Sequence, residues 1–193
     1  MIIENSKSEL RKIGKNIRSK IDPFLREKYS HEINQYICTT DYFLNAENIS
    51  FYLPMKDEVD VWPLIKKSWK LNKNVFVPSI RNNAALSFHK INRNTEYITN
   101  NLGLNEPING ECKSPSDLDV VIMPLVVFDN CGNRIGMGGG YYDKTFAFLN
   151  ESNAPFKTKL IGVSFACQKV KNIKKDSWDV NLFQVITEKG PAY

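Results

Sequence analysis

A chain of 193 residues with 42% hydrophobic and 24% charged residues can bury a sizeable core and has the composition of a globular protein, not of a disordered or fibrous one. A net charge of +5, spread along the chain, does not by itself argue for a nucleic-acid or membrane-surface binder, although it suits an anionic ligand. No stretch approaches the roughly 18 apolar residues of a membrane span, the four cysteines lack C-x-x-C spacing and are joined by only two histidines, and residues 1–6 carry an acid where a signal peptide would be basic, so a cytoplasmic protein without a disulfide framework or zinc site is expected.

Ser6-Lys7-Ser8-Glu9 has the form of a capping box, and Leu10, Ile13, Ile17 and Ile21 recur on one face behind it, which predicts a first helix. Lys7, Arg11, Lys15 and Arg18 share a second, basic face. Lys15 and Arg18 read as a solvated charge stripe, whereas Lys7 sits in the first turn, where a cation opposes the helix dipole unless an anion is there to be met. Asp22-Pro23 starts a second helix carrying Leu25, Tyr29, Ile33, Tyr36 and Ile37. Strands are expected at 49–53, 75–77, 86–91, 118–123, 160–165 and 185–187, with helices at 61–71 and near 142–149.

This alternation predicts an α/β fold: a mostly parallel sheet with helices on both faces, a single three-layer domain over 1–193, with the N-terminal helices of 6–38 packed on the α/β core. Ligands in such sheets bind beyond the carboxyl ends of the strands. Asp60 reads as a helix cap. Trp62, Trp69 and Trp178 read as packing residues, residues 113–117 as a polar connector, and Cys38, Cys112, Cys131 and Cys167 as core or incidental thiols, with Cys131 inside the glycine-rich loop.

Half of the ten glycines fall between Gly132 and Gly140. After the buried-strand run at 120–124, this order reads as strand, glycine-rich turn, helix. Backbone with so few Cβ atoms brings N–H groups close to a ligand, and with Arg134 beside it the segment reads as an anion cradle. The plain alternative is a hairpin turn. The clustered Arg134, Tyr141, Tyr142 and Asp143 favour the cradle, although the spacing is neither the dinucleotide fingerprint nor a loop ending in Gly-Lys-Ser/Thr.

The composite is more specific than its glycines: Asp119 to Pro124, then Phe128-Asp129-Asn-Cys-Gly132-Asn-Arg134, then Gly136-Met-Gly-Gly-Gly140-Tyr141-Tyr142-Asp143. It resembles the 5-formyltetrahydrofolate cyclo-ligase family, and the resemblance extends from about Lys7 to Thr187. The family closes 5-formyltetrahydrofolate to 5,10-methenyltetrahydrofolate with ATP and Mg2+, releasing ADP and phosphate. The resemblance implies that ATP is met by Lys7, Arg11, Arg134, Ile135, Gly136, Met137, Gly138, Gly139, Gly140, Tyr141 and Tyr142. It implies that the folate is met by Leu53, Glu58, Met137, Gly138, Gly139, Gly140 and Tyr141, and Mg2+ by Asp143 and Asp179. Arg134, Glu58 and Tyr142 are then the residues at the reaction, and 102–107 resembles the family's loop along the folate cleft. Lys174 stands where many relatives have proline, and Gly139 where some have lysine, which leaves Arg134 more of the phosphate charge.

A monomer acting on folate and ATP, without nucleic acid or membrane, is the resulting expectation. Two rivals remain at this point. One is a phosphosugar isomerase or acyl-CoA transferase using Glu58 as base or nucleophile, and the other is an RNA-binding module using the basic first helix.

Overall fold

The computed structural model describes residues 6–81, 85–151 and 157–193; of the acidic start, only Ser6 falls among them. The capping box forms: the Glu9 amide donates to Ser6 Oγ at 3.2 Å and the Ser6 amide to Glu9 Oε2 at 2.7 Å, opening α1 (Lys7–Ser19). The Asp22 carboxylate accepts from the amides of Phe24 and Leu25 at the start of α2 (Pro23–Cys38). Then come α3 (Asp41–Asn45), β1 (Asn48–Phe51), α4 (Trp62–Lys70), β2 (Asn74–Ile80) and β3 (Leu86–Ile91). Three short strands follow, β4 (Tyr97–Thr99), β5 (Asn105–Pro107) and β6 (Cys112–Lys113). β7 (Val120–Pro124) leads into a hairpin of β8 (Val127–Phe128) and β9 (Arg134–Ile135), then α5 (Tyr141–Thr145), β10 (Lys159–Val163), β11 (Gln184–Thr187) and β12 (Gly190–Pro191).

One sheet of eight strands runs in the order β12-β11-β10-β7-β1-β2-β3-β6. The inner strands from β11 to β2 are parallel, and β12, β3 and β6 add antiparallel edges. Strands covered on both faces need apolar residues at every position, and alternate residues do divide between two cores. Ile49, Phe51, Val75, Val77, Val120 and Ile122 meet Ile33 and Ile37 of α2 and Leu64 and Ile65 of α4, while Phe76, Val121, Met123 and Leu160 meet Phe146.

The chain steps from β1 to β2 one way along the sheet and from β7 to β10 the other way. Right-handed crossovers taken in opposite directions land on opposite faces. So α4 covers one face and α5 the other, as the sequence leads one to expect. The second layer is thin, however. Where a helix to 149 is expected, α5 has only five residues. Phe146 turns inward onto Phe88 and Phe148, and the backbone tightens into a 3-10 turn over Ala147–Asn150.

Several expectations need correction. On α1 the buried stripe is Leu10, Gly14 and Arg18, while Ile13 is 39% exposed. A Cβ on Gly14 would stand 2.5 Å from the Val126 carbonyl oxygen and from a Val127 methyl, so the absent side chain lets α1 lie directly on the β8 segment. Of the cysteines, expected as core or incidental thiols, Cys38 is half-buried and packs against the core, and Cys112, Cys131 and Cys167 are exposed. The connector at 113–117 contributes the end of β6 and a 3-10 turn at Pro115–Asp117. Among the described residues no helix is long and apolar enough to cross a membrane.

Candidate functional site

Because the two halves of the sheet wind away from each other at β1 and β7, a crevice opens beyond their carboxyl ends. It is a cleft of about 540 Å3. Tyr52, Leu53, Pro78, Ile80, Met123 and Pro124 line its floor at the ends of β1, β2 and β7. Every residue expected to meet ATP, folate or Mg2+ lies on its wall: Lys7, Arg11, Leu53, Glu58, Arg134 to Asp143, and Asp179. A wider groove of about 700 Å3 along α2 shares only Met55 and Glu58 with the cleft and holds none of the glycine loop.

The glycine cluster divides into two parts. Gly132, at φ +75°, turns the β8–β9 hairpin, where a Cβ would meet the Tyr193 ring at 2.3 Å. Asp129, fully buried, holds that hairpin: its carboxylate accepts from the amides of Cys131, Asn133 and Ile173 and from Asn133 Nδ2, all at 2.9–3.0 Å. For this glycine the hairpin reading is right, and Cys131 belongs to the turn rather than to the cleft. The exposed run from Gly136 to Gly140 is the part that faces the cleft. Gly138 takes φ +112°, and Arg11 crosses beside it, donating from Nε to the Gly136 carbonyl at 3.0 Å. The loop leaves from β9, not from the buried strand β7, and the helix behind it is too short to contribute much dipole. What the loop offers a ligand is exposed amides and the neighbouring cations.

Those cations are already engaged. Lys7 Nζ lies 2.7 Å from both Asp176 Oδ2 and Asp179 Oδ2, so the anion its position calls for is supplied by the chain itself. Burial would lower the Lys7 ammonium, but the hydrogen bonds and charges of the two aspartates outweigh it and hold the group above its ordinary range. Arg134, with its side chain 6% exposed, donates from Nη2 to Asp143 Oδ1 at 2.6 Å and from Nη1 to the Val180 carbonyl, while the Val180 amide returns a bond to Asp143 at 3.1 Å. Arg134 therefore ties β9, α5 and the 176–183 segment together as well as facing the cleft. Both expected metal carboxylates, Asp143 and Asp179, pair with one of these cations.

At the other end Glu58 is buried, its side chain 5% exposed. Oε1 meets Arg18 Nη1 at 3.3 Å and Oε2 accepts from the Met55 amide at 3.1 Å. Arg18 is thus no solvated stripe residue; only Lys15 is exposed as expected. The Tyr52 hydroxyl donates to the Val59 carbonyl at 2.6 Å. Burial, and after it the negative charge of Glu58, push the Tyr52 and Tyr142 phenols well above the ordinary tyrosine range. Asp60 caps α4, accepting from the Trp62 amide at 2.9 Å. Asp119, from the same composite, accepts from the amides of Glu47 and Asn48 at 3.0 and 2.8 Å and is structural.

The β4–β5 hairpin brings Leu102, Leu104, Asn105 and Glu106 to the rim, and Glu106 Oε1 accepts from the Ile80 amide and Asn100 Nδ2 at 2.8 and 2.9 Å. Trp62 and Trp69 pack on the core as expected, but Trp178 is 66% exposed at the cleft mouth. A tryptophan flanked by Ser177 and Asp179 in a segment without apolar periodicity is the signal that marks it. Asp176 carries no comparable mark; only its packing beside Lys7 distinguishes it.

A family model described as the 5-formyltetrahydrofolate cyclo-ligase family matches residues 3–188. The chain is 32% identical over 185 residues to a 5-formyltetrahydrofolate cyclo-ligase of Haemophilus influenzae, covering 93% of this chain and 94% of the relative. It is 31% identical over 174 residues to the enzyme of that name from Escherichia coli, covering 88% and 93%. Among solved structures it is similar to a 5,10-methenyltetrahydrofolate synthetase of Aquifex aeolicus, with a TM-score of 0.82 at 28% identity over 96% of this chain and 91% of that one. A Mycoplasma pneumoniae protein of the same name, at 22% identity and a TM-score of 0.76 over 95% and 99% of the two chains, shares the fold.

Proposed function

Because the chain belongs to the 5-formyltetrahydrofolate cyclo-ligase family, we propose that it closes 5-formyltetrahydrofolate to 5,10-methenyltetrahydrofolate, using ATP and Mg2+ and releasing ADP and phosphate. The observation that carries this reading is a single cleft with two chemically opposite ends. One end gathers Lys7, Arg11, Arg134 and exposed loop amides, which suit phosphates. The other presents a carboxylate with apolar and aromatic walls, which suits a pterin whose amide and amino groups are hydrogen-bond donors.

The formyl oxygen is a poor leaving group until it is phosphorylated. In this reading it attacks the γ-phosphorus as ADP departs, N10 adds to the activated carbon, and phosphate leaves with that oxygen as the ring closes. Such a reaction asks the protein for positioning and charge neutralisation rather than for a covalent nucleophile. Lys7, Arg11, Arg134 and the amides of 135–140 hold the phosphates. Glu58 orients the pterin, while Leu53, Met137, Tyr141 and Tyr142 enclose it and exclude water. Asp143 and Asp179 are hard oxygen donors on the same cleft, of the type Mg2+ takes; they would hold the ion, which would supply neutralisation of the phosphate charge.

The rivals fit the geometry less well. Both oxygens of Glu58 are already engaged, one by the Arg18 guanidinium and the other by the Met55 amide, which argues against Glu58 as base or nucleophile in an isomerase or transferase. Of the basic stripe on α1, Lys7 and Arg11 turn into the cleft and Arg18 is buried, which leaves little for an RNA backbone. The test is to follow the absorbance of the conjugated methenyl product with purified protein. Conversion is expected only when ATP and Mg2+ are both present; conversion without ATP, or none with it, sinks the proposal.

A further inference from the structure

Glu58 is offered to the cleft by a residue that does not line it. Arg18 lies on the buried stripe of α1, its side chain 7% exposed, and its Nη1 meets Glu58 Oε1 at 3.3 Å. It is among the lining residues of neither the cleft nor the neighbouring groove. A second arginine reinforces the junction from α2: Arg26 Nη2 donates to the Ile21 carbonyl at 2.9 Å and lies 3.7 Å from Asp57 Oδ1, tying the end of α1 to the residue before Glu58.

We propose that Arg18 is a positioning residue for the folate half of the reaction, acting through Glu58 by holding its carboxylate aimed into the cleft; this rests on the assignment of Glu58 to the pterin. A carboxylate free to rotate presents its acceptors to the donor edge of a pterin in only a fraction of its orientations. With Oε1 held by Arg18 and Oε2 by the Met55 amide, the plane of the carboxylate is fixed before any ligand arrives. The same helix carries Lys7 and Arg11 at its start, so one rigid element sets both the phosphate-facing cations and the pterin-facing carboxylate.

The test compares Arg18→Met, Arg18→Lys, Glu58→Gln and the double variant Arg18→Met/Glu58→Gln, measuring KM for folate, KM for ATP, kcat and melting temperature. Arg18→Met should raise the folate KM on the order of tenfold or more with ATP KM within about twofold, and Arg18→Lys should recover much of the loss because the charge is kept. In the double variant no charge is left unpaired, so it should melt close to the wild type, and its folate KM should match that of Glu58→Gln alone. If Glu58→Gln loses folate but Arg18→Met does not, Arg18 has no positioning role and the pterin assignment stands. Equal losses in ATP and folate KM for Arg18→Met, or a double variant far worse than Glu58→Gln, would mean that Arg18 acts on the fold as a whole. Should Glu58→Gln itself bind folate normally, the pterin assignment fails and this proposal with it.

Discussion

The two ends of the cleft manage charge differently. At the end assigned to the pterin, Glu58 and Arg18 are both nearly inaccessible, with side chains 5% and 7% exposed, so water cannot compete for either. At the end assigned to ATP, Lys7 and Arg134 share their charge with carboxylates that still reach solvent: Asp143 is 24% exposed, Asp176 36% and Asp179 16%. The first arrangement is fixed in advance and the second is open to exchange. In the proposed function, bound phosphates would draw Lys7 and Arg134 away from these carboxylates, which are the ones suited to a divalent cation, so that ATP and the ion would bind in concert.

The largest effect should follow from Arg134→Ala, which removes the proposed phosphate contact and also the tie between β9, α5 and the 176–183 segment. Turnover should fall by on the order of a hundredfold or more, with a stability loss of about 1.5–3 kcal/mol for the charged hydrogen bonds removed. Steady-state kinetics and thermal melting measure both; a variant that keeps wild-type ATP dependence takes Arg134 out of the site. Glu58→Gln comes next, with about 1.5–3 kcal/mol lost in folate binding and ATP affinity nearly unchanged. Calorimetry with each ligand checks this, and an ATP defect with normal folate affinity would move Glu58 to the other end of the cleft.

Smaller shifts are expected from Asp143→Asn and Asp179→Asn, each raising the magnesium concentration needed for half-maximal turnover several-fold, since an amide is a poorer ligand for a hard cation. A response in only one of the two makes the other a structural partner of its cation. Smallest is the behaviour of the buried phenols. Tyr52 and Tyr142 have raised folded-state values, so the stability they contribute is fully present below the ordinary tyrosine value near 10 and declines as pH rises beyond it. In an ultraviolet titration two tyrosines should remain un-ionised until the protein unfolds in alkali; normal titration of all of them would open up the Glu58 end.

How much of this could be read from the sequence depended on whether a residue's role is local. β1, β2, β3, β7, β10 and β11 are apolar runs that show themselves, and the capping residues Ser6 and Asp22 act on amides two or three residues away. β8 and β9 have two residues each, too few for any period, and exist because Asp129 gathers amides from both sides of the turn and from Ile173. The composite from Asp119 to Asp143 pointed to the cleft, but it did not separate Asp119 and Asp129, which hold backbone, from Arg134, which reaches the cavity. Arg18 was misread because a cation in a basic stripe resembles its solvated neighbours until the packing partner is known. Gly14 was the available hint, since glycine inside a helix marks a close approach on the face that Arg18 shares.

Calorimetric titration of ATP into the wild-type protein, with and without Mg2+, tests the contrast between the two ends most directly. ATP with Mg2+ should bind at least about tenfold more tightly than ATP alone, because without the ion Asp143 and Asp179 stay beside the phosphates, and this gap should shrink in the Asp143→Asn/Asp179→Asn double variant. Equal affinity for ATP with and without the ion in the wild type would contradict it.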